Sequence, residues 1–310
     1  MPKPLLVILG ATASGKTKLA VAVANELNGQ LISADSRQVF EGMTIGTGKD
    51  LNEYIIGEKQ IVHHLIDIKP AGDHYNVNEF KEDFYLAFDQ IAGLQQFPIL
   101  CGGTGMYIHS ILQHHALTAV PVNQTLRENL ILLSKEELAS RLNSYPLELR
   151  NHADHSSFKR MIRAIEIADY LSTNELPQKV RTEIDPLVVG LRAHVESRRG
   201  RILERLATRL QNGLIEEVSD LLAQGVSAEM LSFYGLEYKF VVAYLTNKID
   251  LETLKEKLGI AICQFAKRQM TFFRKMEKDG VKINWLDADQ DFSILKESTI
   301  QLVNGKFGSK

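Results

Sequence analysis

Cysteine is scarce: the 310 residues hold two, Cys101 and Cys263, in no metal-type spacing. That excludes a disulfide-stapled scaffold and a cysteine zinc site, and leaves two reduced thiols as the expectation. Long apolar runs are also lacking. The opening run Leu5–Leu9 is five residues, too short for a signal peptide core and far from the roughly 20 residues a membrane span needs. The expectation is a soluble cytoplasmic protein with no membrane partner, taken as a monomer. Charge of one sign is missing overall, since the net charge is −2. Residues 1–130 nevertheless carry 9 Lys/Arg against 13 Asp/Glu, and residues 131–310 carry 27 against 25. A polyanion would therefore meet local basic stripes and no uniformly basic surface. Internal repeats and low-complexity tracts are absent. With 45% hydrophobic and 24% charged residues, the chain can bury a sizeable core, which excludes disorder as the default.

What is present is an alternation of short buried-type strands and helical patterns. Leu5–Leu9 reads as a strand buried on both faces, followed by a helix over Lys16–Leu27 that Asn28-Gly29 closes. Gln30–Ala34 reads as a second strand and Ile61–Ile68 as a third. Asn78–Gly93 is helical, with Phe80, Phe84 and Phe88 at i, i+4 spacing. Pro98–Cys101 is a further strand, and Met106–Leu112 a helix. Strands alternating with helices predict a parallel α/β sheet flanked by helices. After residue 115 the strand signals stop until Leu187–Leu191. Helical patterns at Gln124–Leu133, Lys135–Leu142 and Phe158–Leu171 make residues 116–186 an inserted all-helical subdomain, with 1–115 and 187–310 as the core. The second core segment reads as helices over Ser197–Gln211, Leu214–Gln224, Tyr238–Leu245, Leu251–Leu258 and Ile260–Asp279, with a late strand at Lys282–Leu286.

Gly10-Ala11-Thr12-Ala13-Ser14-Gly15-Lys16-Thr17 fits the P-loop pattern and lies between a predicted strand and a predicted helix, the context the motif requires. Its glycines let successive N–H groups curl around one anion, and the helix N-terminus adds partial positive charge. Lys16 supplies a mobile cation, and the Thr17 hydroxyl is placed to hold Mg²⁺, partly through water. The motif specifies an anhydride-type phosphate ligand without specifying a reaction. Asp35 stands at the carboxyl end of the second strand, where open parallel sheets bind ligands. It fits a general base, a water-mediated metal ligand or a solvated loop acid equally well. Thr104, past the Pro98–Cys101 strand, fits a hydrogen bond to Asp35 or substrate as well as a turn residue bonding its own backbone.

Three basic stripes follow: Lys159, Arg160 and Arg163; Arg198, Arg201, Arg205 and Arg209; and Lys267, Arg274 and Lys278. One such stripe is usually a solvated face. Three of them in one chain favour a polyanion, which would make binding salt-dependent. The pairs His63-His64 and His114-His115 have no third ligand at recognisable spacing.

Taken together, the motifs resemble the tRNA dimethylallyltransferases, also called tRNA isopentenyltransferases. The resemblance rests on the P-loop version above and on Asp35-Ser36-Arg37-Gln38-Val39-Phe40 running into Gly42-Met43-Thr44-Ile45-Gly46-Thr47-Gly48. It continues through Gly102-Gly103-Thr104-Gly105-Met106-Tyr107, Lys159-Arg160-Met161-Ile162-Arg163, Gly213-Leu214-Ile215-Glu216-Glu217-Val218 and Ala266-Lys267-Arg268-Gln269. These stand in family order from residue 10 to about 286.

The resemblance implies a P-loop NTPase-like fold and transfer of a dimethylallyl group from dimethylallyl pyrophosphate to the exocyclic amine of the adenosine 3′ of the anticodon. It implies pyrophosphate on Gly10–Thr17 with Mg²⁺, Asp35 as base and Thr104 as a positioning group. It places tRNA contacts at Asp35, Ser36, Arg37, Gln38, Thr104, Arg127 and Lys159–Arg163, that is Lys159, Arg160, Met161, Ile162 and Arg163. The chain departs from the family in a shorter helical insertion, in Phe272 for a frequent Trp, and in Val195 where many members carry an Arg thought to touch pyrophosphate; Arg198 or Arg199 is expected to substitute. No eukaryotic-type zinc finger follows, so a bacterial chain is expected. The alternatives are a P-loop kinase of a small metabolite using ATP, transfer to free AMP or ATP, and a tRNA- or nucleotide-binding protein that has lost catalysis, against which Lys16, Thr17 and Asp35 speak.

Overall fold

The computed structural model describes residues 1–177 and 179–308. Gln178, inside the expected insertion, and Ser309 and Lys310, at the end of the expected core, lie outside the described residues. The chain divides into two compact units, Met1–Gln113 with Arg181–Lys310, and His114–Val180.

The first unit opens with β1 (Lys3–Gly10), α1 (Lys16–Glu26) and β2 (Gly29–Ser33). A small antiparallel pair, β3 (Ile55–Ile56) and β4 (Lys59–Gln60), precedes β5 (His63–His64). Then come α2 (Val77–Gly93), β6 (Phe97–Gly102) and α3 (Gly105–Leu112). The second unit is α4 (Gln124–Leu130), α5 (Lys135–Asn143), α6 (Leu147–Arg150) and α7 (Phe158–Leu171). The first unit resumes with β7 (Ile184–Arg192), α8 (Val195–Gln211), α9 (Leu214–Ala223), α10 (Ala228–Tyr234) and α11 (Leu236–Leu245). It ends with α12 (Leu251–Lys278), β8 (Ile283–Asp287) and α13 (Phe292–Phe307). The chain re-enters the sheet at Ile184, so the helical unit is shorter than the expected 116–186.

The sheet is six parallel strands in the order β5-β2-β6-β1-β7-β8. β1 lies between β6 and β7, and each residue of Leu5–Leu9 is fully buried. Its side chains alternate between two cores. Leu5, Val7 and Leu9 join Phe80, Phe84 and Phe88 of α2, while Leu6 and Ile8 join Leu19 and Val23 of α1 and Leu295 and Val303 of α13. Two covered faces explain why this strand is a continuous apolar run. α2 starts on a capping box: the Asn76 side chain accepts from the Asn78 and Glu79 amides, and Glu79 accepts from the Asn76 amide.

Two expectations are corrected, and one helix was missed. The strand expected over Ile61–Ile68 is reduced to His63–His64, because Leu65 and Asp67 take φ of 63° and 52° and turn the chain away. The two helices expected on either side of Gly259 are one helix, α12, running through it. There the missing side chain lets α8 approach, since a Cβ on Gly259 would lie 2.8 Å from Leu203 Cδ2. The helix α13 was not expected. Its buried stripe Leu295, Thr299, Val303 carries a threonine at its centre, whose hydroxyl returns to the Leu295 carbonyl at 2.8 Å.

The helical unit closes on its own core of Leu130, Leu138, Leu142, Met161, Ile162 and Ile165. At its edge the Glu166 carboxylate is wholly buried and accepts from Arg127 Nε and Nη2 at 2.8 Å, from Arg163 Nη1 at 3.3 Å and from the Asn123 amide at 3.0 Å.

Candidate active site

β1 ends at Gly10, and the chain curls before α1 begins at Lys16. The curl uses left-handed backbone at Ala13 (φ 62°) and Gly15 (φ 80°), a region open to glycine and costly for alanine. The loop is held from α12. The Thr12 amide donates to Gln269 Oε1 at 2.9 Å, and the Thr12 hydroxyl donates to the same oxygen at 3.2 Å. Gln269 Nε2 in turn donates to the Gly103 carbonyl at 3.0 Å. One amide side chain thus fixes the P-loop against the turn that follows β6.

β2 delivers Asp35 to the same edge. Asp35 Oδ1 accepts the Arg37 amide at 2.9 Å, the Ser36 amide donates to Thr104 Oγ1 at 3.0 Å, and the Thr104 amide donates to the Ala34 carbonyl at 3.1 Å. Thr104 therefore anchors the backbone beside Asp35 instead of bonding its carboxylate. Lys16, Thr17, Asp35, Ser36, Arg37, Gln38 and Thr104 all line one cavity of about 390 Å³, with Thr12 at its edge. The remaining P-loop residues Gly10, Ala11, Ala13, Ser14 and Gly15 are not among the residues that line it.

Enclosure holds the Lys16 ammonium below its ordinary pKa of 10.5, with Cys101 and Asp35 opposing the shift. That enclosure favours a ligand carrying negative charge. Burial likewise pushes the Cys101 thiol up to about 12, against the pull of Lys16.

Sequence reasoning left several cavity residues without a role. Arg205 and Arg209 of α8 line the cavity, whereas Arg198 and Arg199, expected to reach it, do not. Arg198 stands on the same helix face as Arg205 and Arg209 but two turns nearer the start of α8, so position along the helix separates it from them, while Arg199 is turned to the exposed side. Arg205 is paired with Asp50. Arg209 lies 3.7 Å from Glu237 and 4.0 Å from Asp50, and burial lowers its pKa. Glu237 is raised by burial, with Arg209 opposing. Arg201 is drawn outward to Asp289 at 2.8 Å. The i, i+4 arginine spacing was the available signal, and only packing shows which of its members face in. Glu217 of α9, which does not line the cavity, was also left without a role. Its carboxylate accepts the amides of Thr44, Ile45 and Gly46 at 2.8, 2.6 and 2.9 Å and the Tyr238 hydroxyl at 2.8 Å, holding the Gly46–Gly48 wall of the cavity.

The predicted tRNA residues of the helical unit divide in two. Lys159 is exposed, and Arg160 is exposed but paired with Asp154 at 2.8 Å. Met161 and Ile162 are buried in the unit's core, so their side chains serve packing. Arg127 and Arg163 are spent on Glu166, and Arg163 also donates to the Leu117, Val120 and Pro121 carbonyls.

The IPP transferase family matches residues 38–276, and the isopentenyl transferase family matches residues 3–67. A protein of Porphyromonas gingivalis named tRNA dimethylallyltransferase 2 is 50% identical over 284 residues, covering 92% of this chain and 94% of the relative. The chain belongs to the IPP transferase family. A tRNA dimethylallyltransferase 2 of Bacteroides fragilis is 46% identical over 97% of both chains. The crystal structure of the tRNA isopentenylpyrophosphate transferase of Bacillus halodurans superposes with a TM-score of 0.71 at 28% identity, covering 98% of this chain and 96% of that one. The family match spans the cavity wall from Gln38 through Gln269, and the P-loop lies in the segment before it.

Proposed function

We propose that this chain is a tRNA dimethylallyltransferase that transfers the dimethylallyl group of dimethylallyl pyrophosphate to the exocyclic amine of the adenosine 3′ of the anticodon, releasing pyrophosphate. The observation that carries the reading is one cavity lined by the phosphate-loop residues Lys16 and Thr17 together with Asp35 and Thr104, in a chain half identical to enzymes of that name. P-loop amides and Lys16 hold the diphosphate and stabilise the charge that grows on the leaving oxygen. As the allylic C–O bond breaks, the adenine amine forms the new N–C bond and passes its proton to Asp35. Thr104 and the Arg37 amide keep that carboxylate and its loop in place. Arg205 and Arg209 add positive charge to the cavity wall.

Mg²⁺ fits this wall. The protein share would be the Thr17 hydroxyl, with diphosphate oxygens and water completing the shell, since Mg²⁺ commonly takes few protein ligands beside phosphate. Among the described residues no group of three or more His, Cys, Asp or Glu forms a metal cluster. When bound it would supply charge neutralisation to the leaving group.

Asp35, Ser36, Arg37, Gln38 and Thr104 would meet the acceptor nucleotide, and Lys159 and Arg160 of the helical unit would meet tRNA phosphates. No helix among the described residues is long and apolar enough to cross a membrane. Incubation with labelled dimethylallyl pyrophosphate or labelled ATP, each with unmodified tRNA or AMP, tests the reading. Prenyl label on the adenosine 3′ of the anticodon is expected. Label on AMP, or phosphate transferred from ATP to a small alcohol, overturns it.

A further inference from the structure

The chain has thirteen phenylalanines, nine tyrosines and one tryptophan. Only two of these aromatic side chains are exposed, Phe233 at 56% and Phe265 at 41%, and both line the cavity that holds Asp35. Exposed large aromatics are costly to leave in water, and two on the wall of one cavity point to a ligand with a flat face. Each has a guanidinium beside it: Arg37 is 5.2 Å from the Phe233 ring centre, and Arg268 is 5.9 Å from that of Phe265. Aromatic rings interleaved with arginine form the usual stacking platform for unpaired bases.

The two rings belong to different ends of the cavity. Phe265 lies one helical turn from Gln269, which grips Thr12 of the P-loop, so it belongs to the donor side. Phe233 lies in the last turn of α10 and is tied to the acceptor side. Arg37 donates through Nη2 to the Phe233 carbonyl at 2.9 Å while its own amide donates to Asp35. His74 supports the ring from its edge at 5.5 Å.

We infer that Phe233 is the surface on which the acceptor adenine stacks once it has left the anticodon loop, orienting its amine toward Asp35. The inference rests on the proposed transfer to tRNA and adds the residue that receives the base. Unstacking the adenine from its neighbours is unfavourable, and a new π-face inside the enzyme offsets part of that cost.

The test is a cycle between ring and base. Anticodon stem-loop RNA carrying either adenosine or an abasic site at the acceptor position is titrated against wild type, Phe233→Leu and Phe233→Tyr, with Phe265→Leu for comparison. Wild type should prefer the adenine RNA over the abasic one. Phe233→Leu should lose about 5- to 150-fold in affinity for the adenine RNA, the range that stacking on one aromatic supplies, with little change for the abasic RNA. Phe233→Tyr should restore the preference, and Phe265→Leu should keep it. A merely structural role would weaken both RNAs equally and leave their ratio unchanged, which overturns the inference. Prenylation of the adenine RNA is measured alongside: normal transfer with no coupling sinks the stacking role alone, and no transfer by wild type sinks the acceptor assignment itself.

Discussion

Asp35 is held by one backbone amide and lies in a cavity with Lys16, so its chemistry can be separated from its structural part. Asp35→Asn keeps an acceptor for the Arg37 amide and removes the base. Turnover should fall by about 10²–10⁴-fold, the usual range for loss of a general base, with the KM for tRNA little changed. Near-normal kcat in a steady-state prenylation assay would rule out the base role. Cys101 makes a second residue-scale case. It is buried beside Lys16 with its thiol pushed up to about 12, whereas Cys263 is half-buried on α12. Since the thiolate is the reactive form, iodoacetamide at pH 8 should modify Cys263 in the native protein and reach Cys101 only after denaturation. Mass spectrometry showing equal labelling rates would contradict that placement.

At the scale of elements, the loop after Phe40 is positioned from a distance. Glu217 on α9 collects three successive backbone amides and a buried phenol. Glu217→Ala would strand those donors, with a cost of about 2–3 kcal/mol at the level of a charged hydrogen bond. The urea midpoint should drop accordingly, and an unchanged midpoint would show the loop to be held by other contacts. Nothing in the spacing of Gly213-Leu214-Ile215-Glu216-Glu217-Val218 says which acid turns inward. Glu217 is one residue before the buried Val218 and Glu216 points out, a choice set by how α9 docks. Elements with strong local signals were legible: the buried run of β1, the phenylalanine spacing of α2 and the P-loop between β1 and α1. Gly259 misled because its cause is a neighbour. It reads as a helix break, yet it is where α8 and α12 come close.

Across the whole molecule, basic residues that look alike in sequence, even within one stripe, have different fates. Lys159 is exposed, while Arg163 is locked into the buried Glu166 network. Lys159→Gln should reduce the salt dependence of tRNA affinity by about one unit of slope and leave stability alone. Arg163→Gln should destabilise the helical unit, because it strips a buried carboxylate of a partner. Filter binding from low to high salt, with a melting curve for each variant, checks both. An unchanged slope for Lys159→Gln would make that face merely solvated.

The sequence by itself determined the alternating strands and helices, the anion-binding loop, the carboxylate at a strand end and the presence of a helical insertion. Each of these follows from local periodicity, from backbone freedom at glycine or from the carboxyl-edge rule of parallel sheets. Only the tertiary structure decided that Arg205 and Arg209 line the cavity instead of Arg198 or Arg199, that Gln269 and Glu217 hold loops more than 150 residues away in sequence, and that Phe233 stays exposed beside Asp35's loop. The physical reason is the same in each case: a side chain's partner is set by how helices and loops pack on one another, and that depends on contacts between segments far apart in the chain.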